Sequence, residues 1–268
     1  MQSQSLGRVL IIAGSDSGGG AGIQADIKTV TALGGYAATA ITALTVQNTL
    51  GVTGVHVAPL EIVEAQARVV LDDIGADAIK TGMLGDAATV DLAARLIAES
   101  QIPAVVDPVM IAKGGAALLA AEAVAAVRER LVPQAALLTP NAPEAEALTG
   151  LPCASTDDLR RAGEALLALG ARAVLMKGGH VPGERVIDLL ITSGGETVFE
   201  TDRIHTRHTH GTGCTLASAC AAGLAQGLPL TEAVARAWAY VQEAMLRAPG
   251  LGAGHGPLDH AWPLRGRA

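Results

Sequence analysis

The sequence predicts an α/β fold in which helices cover both faces of a mostly parallel sheet. Short β-branched runs alternate with Ala-rich stretches of helical period along most of the 268 residues. Four apolar runs, at 78–80, 104–106, 136–138 and 173–176, each follow a plausible helix and precede polar or Gly-rich residues. No Pro/Ser-rich linker or low-complexity tract divides the chain, so we expect a single domain over residues 1–268.

The first elements follow the same alternation. Residues 9–12 (VLII) are typical of a buried strand, and 22–33 have the apolar spacing of a helix. Residues 36–57 lack a helical period and are rich in Thr, Val and Ala, which indicates extended segments with a turn near 48–51. Pro59 begins a helix that we expect to reach about residue 73.

The last third of the chain contains a predicted hairpin and two closing helices. Residues 186–192 and 196–200, joined by Ser-Gly-Gly, indicate an antiparallel hairpin at one edge of the sheet. Helices are expected at about 213–226 and 231–247. The fold is therefore predicted to end on helices that pack against the sheet.

Composition excludes several classes of partner. The net charge of −7 and the 2% aromatic content oppose contact with nucleic acid, which needs basic surfaces or stacking rings. Residues 29–60 carry no charge, but glycines and amides interrupt them, so no membrane span is expected. Cys153, Cys214 and Cys220 are odd in number and have no metal spacing, which indicates reduced thiols in the cytoplasm.

A Gly-rich stretch at residues 14–22 (GSDSGGGAG) follows the first predicted strand. It has neither the Gly-Lys-Ser/Thr of a Walker loop nor the spacing of a dinucleotide fingerprint. A tight turn with close helix packing explains it as well as a ligand loop does.

A second Gly-rich stretch, residues 209–215 (THGTGCT), leads directly into an Ala-rich helix. Glycines free backbone amides to converge on one point, and the helix dipole adds positive charge there, so we predict an anion hole for a phosphoryl group. Cys214 lies at the helix start, where these effects are expected to lower the thiol pKa below about 8.5 and allow a thiolate base. A small buried hydrophobe is the alternative role for Cys214.

Polar residues follow three further predicted strands, and such strand ends share one edge of a parallel sheet. Asp107 and Glu144 are candidate carboxylate ligands for Mg²⁺, and Lys177 is a candidate for neutralising phosphate. Taken alone, Asn141 and Glu144 form a helix capping box, and Asp107 is equally able to cap a turn.

These strand-end motifs resemble a known family. The sequence is similar to the hydroxymethylpyrimidine/phosphomethylpyrimidine kinases of thiamine biosynthesis, members of the ribokinase-like superfamily, from about Arg8 to His260. Seven motifs carry the resemblance in order: 13–26 (AGSDSGGGAGIQAD), 43–49 (ALTVQNT), 80–84 (KTGML), 107–110 (DPVM), 139–141 (TPN), 177–180 (KGGH) and 210–215 (HGTGCT). The resemblance implies a ribokinase-like three-layer sandwich with a small β hairpin or flap.

The resemblance also implies an activity. This is ATP-dependent phosphorylation of 4-amino-5-hydroxymethyl-2-methylpyrimidine and then of its monophosphate to the diphosphate, with ATP and Mg²⁺ as cofactors, in a homodimer. By the same resemblance, the pyrimidine pocket is formed by Gly14, Asp26, Gln47, Met83 and Val109. The nucleotide would be contacted by Asn141, Lys177 and Thr209, and the metal by Asp107, Asn141 and Glu144, partly through water. The implied catalytic set is Lys177, Gly211, Thr212, Gly213 and Cys214.

A weak base suffices for a loose phosphoryl-transfer transition state, so the 211–214 amides are expected to contribute more than the Cys214 thiol. The sequence contains one anion hole and no internal repeat, so we expect one site to perform both phosphorylations. The flexible loop 15–22 is the expected place where its amides meet the extra phosphate of the second substrate.

Two other functions fit the motifs. A pyridoxal kinase of the Cys-containing type acts on a hydroxymethyl group of a similar ring, and Gln47 and Met83 favour the pyrimidine without excluding dual use. A non-catalytic pyrimidine-binding regulator would keep the pocket without turnover. The presence of Asp107, Glu144 and Lys177 together with Cys214 argues against the regulator.

Overall fold

A computed structural model describes residues 6–110 and 121–265 of the chain. Within those ranges one sheet is formed by nine strands: β1 (Arg8–Asp16), β2 (Tyr36–Asn48), β3 (Gly51–Val57), β4 (Ala78–Thr81), β5 (Ala104–Val106), β6 (Ala135–Leu138), β7 (Ala173–Met176), β8 (Arg185–Thr192) and β9 (Gly195–Asp202). The described helices are α1 (Gly22–Ala32), α2 (Leu60–Asp73), α3 (Ala87–Ser100), α4 (Ala121–Ala126), α5 (Ala142–Thr149), α6 (Thr156–Ala168), α7 (Thr212–Ala225) and α8 (Leu230–Leu246).

The strand order is β3-β2-β1-β4-β5-β6-β7-β8-β9. Neighbouring strands from β2 to β7 run parallel, whereas β3, β8 and β9 run antiparallel to the strands they pair with. Parallel strands need crossover connections, and helices supply them here. The predicted α/β class, with a mostly parallel sheet and an antiparallel hairpin at one edge, is confirmed.

Two buried apolar clusters cover the two faces of the sheet. On β1, Leu10 and Ile12 belong to one cluster and Val9 and Ile11 to the other, as the period of two in a strand requires. Helices α2, α3, α5 and α6 contribute to the first cluster, and α1, α7 and α8 to the second. The helices therefore form layers on both faces of the sheet.

Helix α7 is buried along most of its length, and its buried residues are mainly Ala, with Gly223, Ser218 and Cys220 among them. Small side chains let this helix approach both α8 and the sheet, and a Cβ added at Gly223 would lie 2.7 Å from the Ala233 methyl group. This close packing explains how a chain with few aromatic residues fills its interior.

The first strand is longer than the predicted 9–12 segment. Parallel pairing with β2 continues past an irregularity between Ala13 and Ser15 and carries the strand to Asp16. The start of the Gly-rich stretch 14–22 is consequently held in the sheet. No helix within residues 6–110 and 121–265 has the length and apolar character that crossing a membrane requires.

Candidate active site

A cavity of about 420 Å³ lies at the carboxyl ends of β1, β4, β5, β6 and β7. The order of the strands changes direction at β1, which is where open α/β sheets form ligand crevices. Of the fourteen residues predicted to form the site, thirteen line this cavity: Gly14, Gln47, Met83, Asp107, Val109, Asn141, Glu144, Lys177, Thr209, Gly211, Thr212, Gly213 and Cys214.

Asp26 is the predicted site residue that the structure places elsewhere. It is fully buried on α1 beneath the cavity wall, where its carboxylate accepts hydrogen bonds from Lys80 Nζ at 2.9 and 3.0 Å and from Ser218 Oγ at 2.7 Å. Lys80 itself is fully buried and lines the cavity. Asp26 therefore supports a buried lysine from outside the residues that line the cavity, and its contribution to the pyrimidine pocket stays a prediction.

The first Gly-rich loop is organised around Asp16. Its carboxylate accepts hydrogen bonds from the backbone N–H groups of Gly18 at 2.8 Å, Gly20 at 3.0 Å and Ala21 at 2.8 Å. His210 Nε2 is a fourth partner at 2.8 Å. Burial raises the pKa of Asp16, but these hydrogen bonds outweigh it and hold the pKa below its usual range.

This arrangement differs from the prediction for the 15–22 loop. We expected its amides to be available to a substrate phosphate, and three of them are already bound to Asp16. Ser17 also fixes the loop to β2, because its hydroxyl donates to the carbonyl of Gln47 at 2.8 Å and accepts from the Gln47 N–H at 2.9 Å.

The second Gly-rich loop ends at the N-terminus of α7. Gly211 caps the helix with φ +85°, offers no side-chain acceptor, and lies so close to the Gly20 carbonyl that a Cβ would overlap it. The first amides of an α-helix have no partner inside the helix. The Thr212 N–H donates to the Thr209 carbonyl at 3.4 Å, so the amides of Gly213 and Cys214 are the ones available at this end. The loop therefore has the geometry of the predicted anion hole.

The thiol of Cys214 lines the cavity at this helix start, but its pKa prediction is wrong. Burial, against the opposing effect of Lys80 and the Gly22 N–H, raises the pKa of this thiol to about 12, with a smaller contribution in the same direction from the carboxylates of Asp26 and Asp107. Position at a helix N-terminus does favour a thiolate, but desolvation is the larger effect here. The thiol is therefore protonated at neutral pH in the ligand-free protein.

A charged cluster lies beside the start of α7. Lys177 Nζ is 3.1 Å from Asp107 Oδ1 and 3.8 Å from Glu144 Oε2, and all three side chains are largely buried. Burial raises the pKa of Glu144 to about 7, with Asp107 raising it and Lys177 lowering it. A Cβ at Gly213 would lie 3.3 Å from Lys177 Nζ, so the cluster borders the anion hole directly.

Asn141 and Glu144 form the capping box that the sequence predicts. Asn141 Oδ1 accepts from the Glu144 N–H at 3.0 Å, and Glu144 Oε2 accepts from the Asn141 N–H at 2.8 Å. The N–H of Lys177 donates to Pro140, which places the lysine beside this helix start. Capping and cavity lining are thus combined in the same two residues.

Three predicted pyrimidine contacts, Gly14, Gln47 and Met83, form the other end of the cavity. A Cβ at Gly14 would overlap the terminal methyl group of Met83, so a larger residue would displace the Met83 side chain from its present position. The Gln47 side chain contacts Thr45 Oγ1 at 3.1 Å and His210 Nε2 at 3.4 Å. This end offers an apolar wall and one amide.

Comparison with known proteins assigns the family. The model of the phosphomethylpyrimidine kinase family matches residues 16–259. The chain belongs to this family. The hydroxymethylpyrimidine/phosphomethylpyrimidine kinase of Streptomyces coelicolor is 52% identical over 96% of this chain and 95% of that protein. The family resemblance and the class of enzyme, a kinase, are therefore confirmed.

Solved structures of two related kinases have the same fold. A Bacillus subtilis pyridoxal kinase in complex with ADP is 38% identical, with a TM-score of 0.90 over 97% of this chain and 99% of the other. A phosphomethylpyrimidine kinase from Clostridium difficile is 42% identical, with a TM-score of 0.79 over 88% of this chain and 98% of the other. The expected ribokinase-like architecture is thereby confirmed for this phosphomethylpyrimidine kinase family member.

Sequence reasoning missed three residues of the site. Asp16 and His210 lie within the quoted motifs, yet their pairing joins positions 194 residues apart. Lys80 lies in the KTGML motif, and its buried pairing with Asp26 was not foreseen. A charged residue inside a predicted buried strand, as Lys80 is, was the signal that could have revealed it.

Proposed function

We propose that this chain transfers the γ-phosphoryl group of ATP to the hydroxymethyl group of 4-amino-5-hydroxymethyl-2-methylpyrimidine, and then phosphorylates the monophosphate. One observation carries this proposal. A single cavity joins an end lined by Gly14, Gln47 and Met83 to a charged end lined by Asp107 and Lys177, with the start of α7 between them. A ring binds at the first end, triphosphate at the second, and the transferred group between them.

The charged end fits a magnesium–nucleotide complex. Asp107 and Glu144 are two carboxylates buried beside one lysine, and the pKa of Glu144 is raised first by burial and further by the Asp107 charge, so the cluster has more carboxylates than cations. Mg²⁺ commonly binds through one or two carboxylates and completes its shell with water and substrate phosphates. We propose Asp107 and Glu144 as its holders, while the Asn141 oxygen stays in the capping box. When bound, the metal would neutralise charge on the phosphates.

Positioning and charge provide most of the catalysis in this proposal. Lys177 contacts the phosphate oxygens, Thr209 and Asn141 border the nucleotide, and the amides of Gly213 and Cys214 stabilise the migrating phosphoryl group. Gly213 permits this because any larger residue would approach Lys177. The acceptor hydroxyl, held by the Gln47 end, lies in line with the leaving oxygen.

The proton of the acceptor hydroxyl must also be removed during the transfer. We propose that Cys214 receives it, although the thiol pKa of about 12 in the ligand-free protein makes the thiolate scarce. The small thiolate fraction can serve because a loose transition state releases the proton late, when the acceptor oxygen is already bonding to phosphorus. The backbone amides therefore rank above the thiol in their contribution to rate.

A substrate panel tests the proposal. Purified protein is incubated with ATP and, separately, the hydroxymethylpyrimidine, its monophosphate, pyridoxal and pyridoxine, and products are identified by mass spectrometry. We expect both pyrimidine phosphorylations to occur, and Lys177→Ala to lower both by at least about 100-fold, since it removes a charge held against the phosphates. Phosphorylation of pyridoxal without either pyrimidine step would replace this proposal by the second candidate, a pyridoxal kinase. The structural similarity to the Bacillus subtilis pyridoxal kinase supports that candidate.

We further propose a homodimer formed through the β2–β3 hairpin. Leu44, Val46, Val55 and Val57 on this hairpin are each about half exposed, and Ile62 on α2 is as well. The pairing register puts Leu44 and Val46 on one face of the hairpin and Val55 and Val57 on the other, and exposed apolar side chains of this kind are typical of an interaction surface. Light scattering should give twice the chain mass, and Val46→Lys should shift it to the monomer. The cytoplasm is the proposed location, because a thiol in the transfer site must remain reduced.

A further inference from the structure

A second lysine, Lys80, lies fully buried at the cavity and has no part in the transfer as proposed so far. Its Nζ donates to both carboxylate oxygens of Asp26, at 2.9 and 3.0 Å, and Ser218 Oγ donates to the same carboxylate at 2.7 Å. None of the three side chains is exposed to solvent. Two buried charges lose solvation that their attraction seldom offsets in full, so stability alone does not explain this pair.

This network reaches the proposed proton acceptor through α7. Ser218 follows Cys214 by four residues, and residues four apart lie on one face of a helix with their Cβ atoms about 5–6 Å apart. Lys80 Nζ binds the carboxylate that Ser218 binds, and Lys80 and Cys214 both line the cavity. The ammonium group and the thiol therefore lie on the same side of α7.

The charge on Lys80 is present at neutral pH. Burial lowers the pKa of its ammonium group, but the negative charge of Asp26 and smaller effects of its other neighbours outweigh burial and hold the pKa above its usual range. Of the charges around the Cys214 thiol, Lys80 has the largest effect, and this effect exceeds the opposing one of Asp26. The ion pair therefore presents its positive end to the thiol.

The other lysine near the start of α7 is committed elsewhere. Lys177 Nζ lies 3.1 Å from Asp107 Oδ1 and 3.8 Å from Glu144 Oε2, so two carboxylates offset its charge. In the proposed transfer its ammonium group also contacts the phosphates. Lys80 is paired with one carboxylate, and its charge is the one that remains for Cys214.

We propose that Lys80 acts through Cys214: its ammonium group, held by Asp26, stabilises the thiolate that accepts the proton of the acceptor hydroxyl. The thiolate sulfur takes this proton as the oxygen bonds to phosphorus, and the resulting thiol loses it to water before the next turnover. Lys80 is then a positioning residue, because it contacts neither substrate. This inference rests on the proposed function, since it concerns the proton acceptor of that transfer.

Alkylation of Cys214 by iodoacetamide in the ligand-free protein tests the charge without any enzymatic step. The thiolate is the reacting species, and Lys80→Met removes the charge but keeps an unbranched side chain. For each unit by which the thiol pKa rises, the thiolate fraction falls about tenfold while its nucleophilicity rises about threefold. We expect the rate at pH 8, followed by mass spectrometry of the peptide, to fall at least about threefold. An unchanged rate would overturn the proposal.

Two controls separate charge from packing. Cys220, six residues further along α7, is fully buried, so its alkylation reports opening of the fold. Its rate should stay at the wild-type value in Lys80→Met, because Cys220 reacts only when the fold opens. Ser218→Ala removes one hydrogen bond to Asp26 but no charge, and should leave the Cys214 rate within about twofold of wild type. A fall in Ser218→Ala as large as in Lys80→Met would overturn the role of the charge.

A further variant decides the question if Lys80→Met loosens the fold, which faster alkylation of both thiols would reveal. Lys80→Met/Asp26→Leu replaces the buried pair by apolar side chains, a change that proteins often tolerate. Because the effect of Lys80 on the thiol exceeds that of Asp26, Cys214 should still react more slowly than in wild type, by a smaller factor. A rate at or above that of wild type would overturn the proposal.

A double-mutant cycle tests the connection to turnover. We expect Lys80→Met to lower kcat for the hydroxymethylpyrimidine by about three- to tenfold, with the KM for ATP nearly unchanged. In a Cys214→Ala background the same substitution should change kcat by less than about twofold, because the group through which Lys80 acts is absent. Equal loss of kcat in both backgrounds would overturn the proposal.

Failure of the proposed function would give a different result. Wild-type protein that does not phosphorylate the hydroxymethylpyrimidine would count against that function, and the alkylation rates would still decide whether Lys80 stabilises the thiolate. Phosphorylation that is unaffected by Cys214→Ala would remove the thiol as proton acceptor, and with it the role of Lys80 in turnover.

Discussion

The two Gly-rich loops at the cavity use their backbone amides in opposite ways. In the loop at residues 14–22, the Asp16 carboxylate binds three amides and fixes the backbone from within. In the loop at 209–215, Gly211 offers no side-chain acceptor, and the amides of Gly213 and Cys214 at the start of α7 remain available. Glycine content is similar, but only the second loop is arranged to bind an anion from outside.

The difference shows what glycine contributes in each case. Gly211 is needed because its φ is +85° and the Gly20 carbonyl leaves no room for a Cβ. In the first loop glycine allows the backbone to curl around a carboxylate of its own chain. A Gly-rich loop therefore predicts a ligand site only where no internal acceptor takes its amides.

The largest expected effect comes from breaking the second loop. Gly211→Ala would place a Cβ against the Gly20 carbonyl and would put alanine in the left-handed conformation that glycine now adopts. We therefore expect the loop at 209–215 to move away from the loop at 14–22. We expect turnover to fall by at least about 1000-fold, consistent with the loss of several oriented amides. Steady-state phosphorylation of the pyrimidine measures this.

The opposite end of α7 provides a matched control. Gly227 also has a positive φ, +81°, but a Cβ there would meet nothing within 4 Å. Gly227→Ala should therefore lower the free energy of unfolding by about 1 kcal/mol with turnover nearly unchanged. If both substitutions lowered turnover equally, crowding against Gly20 would not be the cause.

An intermediate effect is expected for Cys214→Ala, which removes the proposed proton acceptor but keeps the amides. Turnover should fall by about 10- to 100-fold, less than for Gly211→Ala, and ATP affinity should be unchanged. The raised thiol pKa is tested separately by alkylation of Cys214 in the ligand-free protein, followed by mass spectrometry. With a pKa of about 12, the rate should keep rising through pH 9. A plateau near pH 7 would contradict the burial effect.

The smallest effect concerns the first loop. Asp16→Asn places an NH₂ group or a neutral oxygen where amides now meet a charge, and should lower the free energy of unfolding by about 2 kcal/mol at pH 7. Because the folded pKa of Asp16 lies below its usual 3.8, this stabilisation is present above about pH 4 and is lost as the pH falls through the folded pKa.

Denaturant unfolding from pH 7 down to pH 3 measures the difference in the free energy of unfolding between wild type and Asp16→Asn. The gap between wild type and Asp16→Asn should be constant above about pH 5 and narrow below pH 4. Asp86→Asn is the matched control, since Asp86 is exposed and accepts one amide, from Thr89, at the start of α3. It should lower the free energy of unfolding by less than Asp16→Asn. A gap that widens as the pH falls would contradict the role of the Asp16 charge.

Most of the fold could be predicted from local patterns, because each depends on neighbours in the sequence. The β-branched runs became strands, and the start of α7 at Thr212 was expected within one residue because the Gly-Thr-Gly motif marks it. Asn141 and Glu144, three positions apart, form the predicted cap. Because the carboxyl ends of parallel strands share one edge of the sheet, Asp107 and Lys177 were expected close together, although 70 residues separate them.

What could not be predicted depends on burial and on pairings across the chain. A thiol at a helix start was expected to have a lowered pKa, and only the packed structure shows that desolvation and the Asp26 and Asp107 charges reverse the direction. Asp26 was placed in the pocket by resemblance, whereas its contacts with Lys80 and Ser218 draw it below the cavity. Local sequence carries no record of how much water a side chain retains.

The contact between Asp16 and His210 has a consequence for the order of folding. It joins residues 194 positions apart, and a nearby contact joins the Thr49 carbonyl to the His255 N–H across a still longer separation. Loop-closure entropy opposes such contacts until the intervening chain is compact, so they form after the helices and the sheet. During refolding, helical signal should therefore recover earlier than enzymatic competence, and the interval between them is the time the first and last quarters of the chain need to meet.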